Sequence, residues 1–178
     1  MTKATGMRVT LRPMRADDAD LHRAFIAALA PDDLRFRFGS RIGEAPRSER
    51  RRMTEVDDER ETTFVATMQR DDGACEIVGE IRAHEDAGGA RVEFAIAVRS
   101  DVQRHGLGRA LLEKLVDFCR QRGIRLLYGL VDPANAGMLA LARRLGFDVD
   151  HVPGGATVVV SLDLGSGPAV RSPRLSPE

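Results

Sequence analysis

The sequence contains few aromatic residues and few cysteines. Only 4% of its 178 residues are aromatic, with one tyrosine and no tryptophan, and it has two cysteines. Cys75 and Cys119 lie far apart without a CxxC motif, so we expect reduced packing residues rather than a disulfide or a zinc site. The four histidines are scattered without the spacing of metal ligands. The sequence therefore predicts that no metal is bound.

Net charge and long apolar runs are also absent. The 27 lysines and arginines are balanced by 27 aspartates and glutamates. Because the chain has no net positive charge, we expect neither nucleic acid nor a membrane surface as a partner. No run approaches the ~18 consecutive apolar residues of a transmembrane helix, and the first residues lack the apolar core of a signal peptide. These absences predict a cytoplasmic protein.

Length and composition indicate one globular domain with flexible ends. The chain is 43% apolar and 30% charged, which is typical of soluble proteins. A chain of this length buries roughly two thirds of its unfolded surface, so it needs no disulfide or metal for stability. Apolar periodicity begins at Met7 and ends at residue 164, after which glycine, serine, proline and arginine dominate. We therefore expect a flexible N-terminus at 1–6, a domain over 7–164 and a disordered tail over 165–178.

Hydrophobic periodicity predicts seven strands and four helices in the order β α α β β β α β α β β. This order indicates an α+β fold, with a mixed and mostly antiparallel sheet flanked by helices. Residues 34–38 alternate apolar and basic side chains, which suggests a strand or a partly ordered functional segment. The strands are expected at 7–13, 62–69, 76–83, 91–98, 125–131, 147–152 and 157–164, and the helices at 19–29, 46–56, 107 to about 123, and 134–145.

The most informative stretch joins a predicted strand, ending at Val98, to a helix through a loop with two glycines. Gly106 and Gly108 leave the backbone unsubstituted where the first amides of the helix lack partners. Such amides, together with the positive end of the helix dipole, bind phosphate groups. Arg104 and Arg109 flank the loop and can add positive charge. A helix-capping turn also contains glycine, but the strand, loop, helix and arginines together favour a phosphate site.

This loop resembles the acetyl-CoA pyrophosphate loop of the GNAT N-acetyltransferase superfamily. Gln103-Arg-His-Gly-Leu-Gly108 matches the pattern Q/R-x-x-G-x-G/A, and Asn135 is followed twelve residues later by Phe147, as in the family's last helix. The resemblance covers roughly residues 7–163. Together, the strand Val92-Glu-Phe-Ala-Ile-Ala-Val-Arg99, this loop and Met138–Phe147 are also similar to the GNAT domain of bacterial protein lysine acetyltransferases. Those enzymes acetylate, and thereby inactivate, AMP-forming acyl-CoA synthetases.

The resemblance implies a GNAT fold with acetyl-CoA as co-substrate. The backbone of Ile96, Ala97 and Val98 would then pair with the pantetheine arm, as an added strand would. Asn135 would contact the pantetheine or adenine end, although asparagine is also a good helix N-cap. The pyrophosphate would be held by the loop residues Gln103, Arg104, His105, Gly106, Leu107, Gly108 and Arg109.

Glu93 is the candidate general base. Alternation along the strand places it on one face with Ala95 and Ala97, whose small side chains leave room for an amine. A lysine amine is protonated at neutral pH and must lose a proton before it attacks a thioester. Glu93 also matches the Glu-Phe-Ala motif of the lysine acetyltransferases. The competing structural interpretation is a cross-strand ion pair with Arg82 or Arg91.

The sequence lacks the tyrosine with which many GNAT enzymes protonate the leaving thiolate. Its position, seven residues after Asn135, is occupied by Ala142. The only tyrosine, Tyr128, lies in the preceding strand, and we expect it to be structural. Because coenzyme A thiolate is a good leaving group, we assign no general acid.

The residues alone do not identify the amine that accepts the acetyl group. Phe36 and Phe38 either contact an acceptor or are buried, and Glu80 and Glu85 either attract a cationic lysine or are ordinary solvated charges. The resemblance favours a lysine of an acyl-CoA synthetase. A small-molecule amine is the alternative acceptor, and a non-catalytic acyl-CoA-binding module is the alternative function. We expect a monomer or a homodimer.

Overall fold

The computed structural model describes residues 2–4, 7–38, 60–70, 72–151 and 157–165. Within these ranges, two short 3₁₀ turns, Ala16–Asp18 and Ser100–Val102, precede α1 and α3. The helices are α1 (Ala19–Ala28), α2 (Pro31–Phe38), α3 (Leu107–Gln121) and α4 (Ala136–Arg144). The strands are β1 (Thr2–Ala4), β2 (Met7–Pro13), β3 (Glu61–Gln69), β4 (Cys75–Glu85), β5 (Arg91–Val98), β6 (Leu126–Val131), β7 (Asp148–His151) and β8 (Val158–Asp163).

The described strands form one mixed sheet in the order β1-β2-β3-β4-β5-β6-β8-β7. Every neighbouring pair is antiparallel except β5 and β6, which are parallel. A parallel pair requires a crossover connection, and here α3 supplies it. The expected α+β fold, with a mostly antiparallel sheet flanked by helices, is confirmed.

Two expectations differ from the structure. Thr2–Ala4 pairs with β2 as an edge strand, whereas a flexible segment was expected over 1–6. Residues 34–38 belong to helix α2 rather than to a strand. Pro31 at the first helical position and the acidic side chains of Asp32 and Asp33 in the first turn favour the helix. The expected helix at 46–56 and the tail beyond residue 165 lie outside the described residues.

Helix α3 buries one face of its surface against the sheet. Leu107, Leu111, Leu115 and Cys119 follow the helical period, and each is at most 5% exposed. Burying a leucine side chain contributes about 1.5–3 kcal/mol. Burial raises the pKa of the Cys119 thiol to about 12. Cys75, by contrast, is exposed and does not pack as expected.

The two faces of the sheet carry different helices. Helices α3 and α4 pack on one face, and α1 and α2 pack on the other. Phe25 of α1 contacts Val65, Ile77 and Ala97 in the second core. Among the described residues, no group of three or more His, Cys, Asp and Glu side chains could hold a metal ion. None of the described helices is long and apolar enough to cross a membrane.

Candidate active site

Strands β5 and β6 separate partway along their length. They pair only where Arg91–Phe94 lies beside Leu126–Gly129. Beyond this point β5 stays paired with β4, and β6 stays paired with β8. The sheet therefore opens into a cleft between the carboxyl-terminal ends of β5 and β6.

Gly129 explains how the last pair before the cleft fits together. A Cβ at this position would lie 2.8 Å from the Phe94 ring, a separation that side chains do not tolerate. The glycine thus lets the Phe94 ring pack directly over the β6 backbone. On its other side the ring contacts Phe147 edge-on, with 5.8 Å between centroids. Packing on the α3 face therefore fixes the point where β5 and β6 separate, which we call the fork.

The backbone of β5 presents hydrogen-bonding groups to the cleft. The Arg99 N–H donates to the Val78 carbonyl across the β4 side, 3.0 Å away. In an antiparallel pair successive residues point alternately to opposite neighbours, so Ile96 and Val98 direct their N–H and C=O groups toward the cleft. The groups of Ala97 point back to β4, and its side chain is buried against α1. The edge expected over all three residues is therefore formed by Ile96 and Val98.

The loop after β5 has the backbone of an anion site. Arg104 and Gly106 adopt left-handed conformations, with φ of 66° and 81°. Gly106 is the N-cap of α3, and no side chain in the described part of the chain caps this helix end. A Cβ on Gly108 would lie 3.6 Å from Leu141 and 3.9 Å from Val98, which are ordinary contacts. The protein's own packing therefore does not require glycine at position 108.

The side chains of this loop differ in exposure and in the contacts they make. Arg104 and His105 are exposed, and the His105 Nδ1 lies 3.4 Å from the Val102 carbonyl. Arg109 is exposed and donates from Nε to Glu113 at 2.8 Å. Leu107 belongs to the core. Of the expected phosphate ligands, Leu107 can therefore offer only its backbone.

Helix α2 is tied to the segments on both sides of the cleft. Asp33 accepts hydrogen bonds from the Ser100 hydroxyl and, at 2.9 Å, from the Gln103 amide. The same Gln103 Nε2 donates to the Val98 carbonyl at 2.8 Å. Arg35 Nη1 donates to Asp132, just after β6, at 3.1 Å. The sequence did not reveal the contacts of α2 because their partners are 67 to 97 residues apart.

Asn135 is the N-cap of α4. Its side-chain oxygen accepts a hydrogen bond from the Met138 N–H at 3.0 Å. This is the capping role that an asparagine at a helix start favours. The residue lies shortly after the end of β6, on the same side of the cleft as Asp132.

Glu93 lies on the α1 and α2 face of β5 and is exposed. Its neighbours in register are His84 on β4 and Tyr128 on β6. The Tyr128 hydroxyl donates to Glu93 Oε2 over 3.3 Å. Arg82 binds Glu61 instead, with 2.6 Å between Nε and Oε1. Arg91, the other candidate partner of Glu93, lies over the Tyr128 ring.

Comparison with known proteins identifies the family. The model of the Acetyltransferase (GNAT) family matches residues 26–147, more than half of the chain. This protein belongs to the GNAT acetyltransferase family. It is an acetyltransferase, and acetyl-CoA is its co-substrate.

Three related proteins illustrate this membership. This GNAT acetyltransferase is 32% identical over 155 residues to acetyltransferase PA5475 of Pseudomonas aeruginosa, covering 87% of this chain and 83% of the relative. Over 55 residues it is 51% identical to the [ribosomal protein bS18]-alanine N-acetyltransferase of Escherichia coli, covering 31% of this chain and 37% of that protein. The GNAT domain of S. lividans PAT has a similar fold, with a TM-score of 0.71 at 24% identity over 87% of this chain and 90% of that one.

The described site residues fit acetyl-CoA. Among the described residues, the cleft-facing edge at Ile96 and Val98 has no partner strand, although the Val98 carbonyl accepts from Gln103, so it can pair with an extended arm. The N-terminus of α3 offers amides to phosphate. Ala142 is fully buried, so the position of the usual GNAT tyrosine carries no acid here. Tyr128, which we expected to be structural, contacts Glu93 through its hydroxyl.

The acceptor-side expectations have mixed outcomes in this GNAT acetyltransferase. Glu80 is fully buried, and its carboxylate lies 2.7 Å from the His22 ring, so it is no solvated charge. Glu85 is ion-paired with Arg122 at 3.4 Å. Phe36 is half-buried beneath the Arg35 guanidinium. The side chain of Phe38 lies outside the described residues.

Proposed function

We propose that this enzyme transfers the acetyl group of acetyl-CoA directly to the amine of a protein lysine, with Glu93 as the general base. One observation carries the proposal: an exposed carboxylate lies one residue before the point where β5 and β6 separate. An amine that approaches from the α1 and α2 face would meet this carboxylate beside the cleft.

The cleft and the loop bind different parts of acetyl-CoA. The pantetheine arm extends along the edge formed by Ile96 and Val98 and places the thioester toward the fork. The α3 amides hold the pyrophosphate, and the exposed Arg104 and Arg109 add positive charge. Asn135 contacts the cofactor through its amide nitrogen while its oxygen caps α4.

Acetyl transfer needs a neutral amine. Glu93 takes a proton from the protonated lysine, directly or through a water. The nitrogen lone pair then attacks the thioester carbonyl carbon, and a C–N bond forms. The C–S bond breaks, and the nitrogen releases its second proton to solvent to give the neutral amide. Coenzyme A leaves as a thiolate that takes a proton from solvent, so no general acid is required.

Support for a protein acceptor comes from the site and from the relatives. Glu93 is exposed, and the β4–β5 turn beside it is tight, closed by a 3.0 Å hydrogen bond from the Gly89 N–H to the Asp86 carbonyl. No described segment covers this edge, so a protein backbone could pass it while one side chain enters. The name of the Escherichia coli relative also refers to a protein amine, that of an alanine. A small-molecule amine fits the same chemistry and is the alternative acceptor.

Glu93→Gln tests the proposed base because it preserves shape and removes the proton acceptor. We expect unchanged acetyl-CoA affinity by calorimetry and a fall in turnover of roughly 10²–10⁴-fold. Asp148→Asn is the matched control, since Asp148 is an exposed carboxylate in the same row of the sheet, three strands away. A Glu93→Gln enzyme with near-native turnover from pH 6 to 9 would show that Glu93 is not the base.

A further inference from the structure

We propose that Tyr128 is a positioning residue that holds the Glu93 carboxylate in the orientation from which it accepts the proton of the amine. The inference rests on the proposed role of Glu93. It adds a second functional group to the site, on the strand across the fork from the base.

The sheet register places the two side chains together. Glu93 and Tyr128 are direct partners in the parallel pairing of β5 and β6, one pair before the last. Partners in register point to the same face of a sheet, which here is the face of α1 and α2. The Tyr128 hydroxyl lies 3.3 Å from Glu93 Oε2. The contact therefore forms at the closed end of the cleft, where the thioester is expected.

The Tyr128 ring is itself held in place. It is half-buried, and the Arg91 guanidinium lies over it, 5.1 Å from the ring centroid. Burial and the charge of Glu93 raise the pKa of Tyr128, so its hydroxyl stays protonated and donates at neutral and mildly alkaline pH. A fixed donor of this kind can restrain an exposed glutamate side chain, which otherwise samples many rotamers.

The hydrogen bond assigns different tasks to the two carboxylate oxygens. Oε2 accepts from the tyrosine, which leaves Oε1 to face the amine. Tyr128 therefore sets the geometry of the base, and it acts only through Glu93.

Tyr128→Phe removes the hydroxyl and keeps the ring beneath Arg91. We expect kcat to fall by about 10- to 100-fold, the range for losing a hydrogen bond to a charged group, with unchanged acetyl-CoA affinity. The KM values for both substrates should stay unchanged, because the hydroxyl acts through Glu93 and contacts neither substrate. Ser161→Ala is the control, since Ser161 is the neighbour of Tyr128 on β8 and also carries a hydroxyl. It should leave both readouts unchanged.

The double variant separates this inference from the proposed function. In a Glu93→Gln background, Tyr128→Phe should cause no further loss, because its effect requires the carboxylate. Equal losses in both backgrounds, or a native kcat in Tyr128→Phe, would overturn the positioning role while Glu93 remains the base. If Glu93→Gln alone keeps its activity, the assignment of the base fails, and the positioning role fails with it.

Discussion

At the scale of single residues, Asp18 shows how the fold holds a buried charge. The side chain is 3% exposed and accepts two 2.6 Å hydrogen bonds from the Arg12 guanidinium. The Arg15 N–H donates to it as well, at 2.7 Å. The hydrogen bonds from Arg12 hold the pKa of Asp18 below its usual value. The contact joins β2 to the start of α1.

The ion pair of Arg12 and Asp18 predicts that the free energy of unfolding falls at low pH. Because the folded state lowers the pKa of Asp18, its contribution is fully present above the ordinary carboxylate pKa and is lost as pH falls through the lower folded value. Asp18→Asn should reduce the free energy of unfolding at pH 7 by about 1–3 kcal/mol and flatten its decline toward pH 3. Denaturant titrations over this range measure both effects. An equally steep decline in the variant would contradict the assignment.

The same scale shows what the sequence could not supply. Glu93 could be proposed as the base because strand alternation and a motif both point to it. Neither signal depends on a residue far away in the sequence. Its contact with Tyr128 depends on the register of two strands that α3 separates in the chain, which local pattern does not encode. Arg82 could not be assigned for the same reason, since its partner Glu61 lies on a third strand.

At the scale of elements, α4 begins at a residue with two separable groups. The Asn135 oxygen caps the helix, while its amide nitrogen is assigned to acetyl-CoA. Asn135→Ala should lose about 1 kcal/mol of stability and also cofactor affinity. Asn135→Ser keeps a capping oxygen without the amide or a new charge, so it should retain stability and lose affinity. Thermal unfolding and calorimetry distinguish these variants, and a serine variant with native affinity would leave Asn135 with the capping role alone.

Helices were predictable from the sequence where the apolar helical period repeats over several turns. The buried residues of α3 recur at the helical period from Leu107 to Cys119, and the helix forms where they predict. Helix α2 has only eight residues, and the spacing of Leu34 and Phe36 also fits a strand. Its link to both sides of the cleft, through Asp33 and Arg35, follows from tertiary packing and not from its own pattern.

At the scale of the whole molecule, the order of elements was sufficient to predict the fold class but not the cleft. The fork depends on Gly129 beneath the Phe94 ring and on two strands that keep their outer partners as they separate. In the sequence, Gly129 and Phe94 each look like an ordinary strand residue. The three residues of β1 were missed because so short a segment carries no period.

Mapping the acetylated atom tests the central claim most directly. The enzyme is incubated with labelled acetyl-CoA, AMP-forming acyl-CoA synthetases from the same organism, and small amines such as polyamines, amino acids and aminoglycosides. Products are identified by mass spectrometry, with Glu93→Gln and enzyme-free reactions as controls. The account predicts one acetylated lysine in a synthetase, in its C-terminal catalytic loop, and loss of that modification in both controls. Efficient acetylation of the small amines, with no synthetase modified above the enzyme-free background, would contradict it.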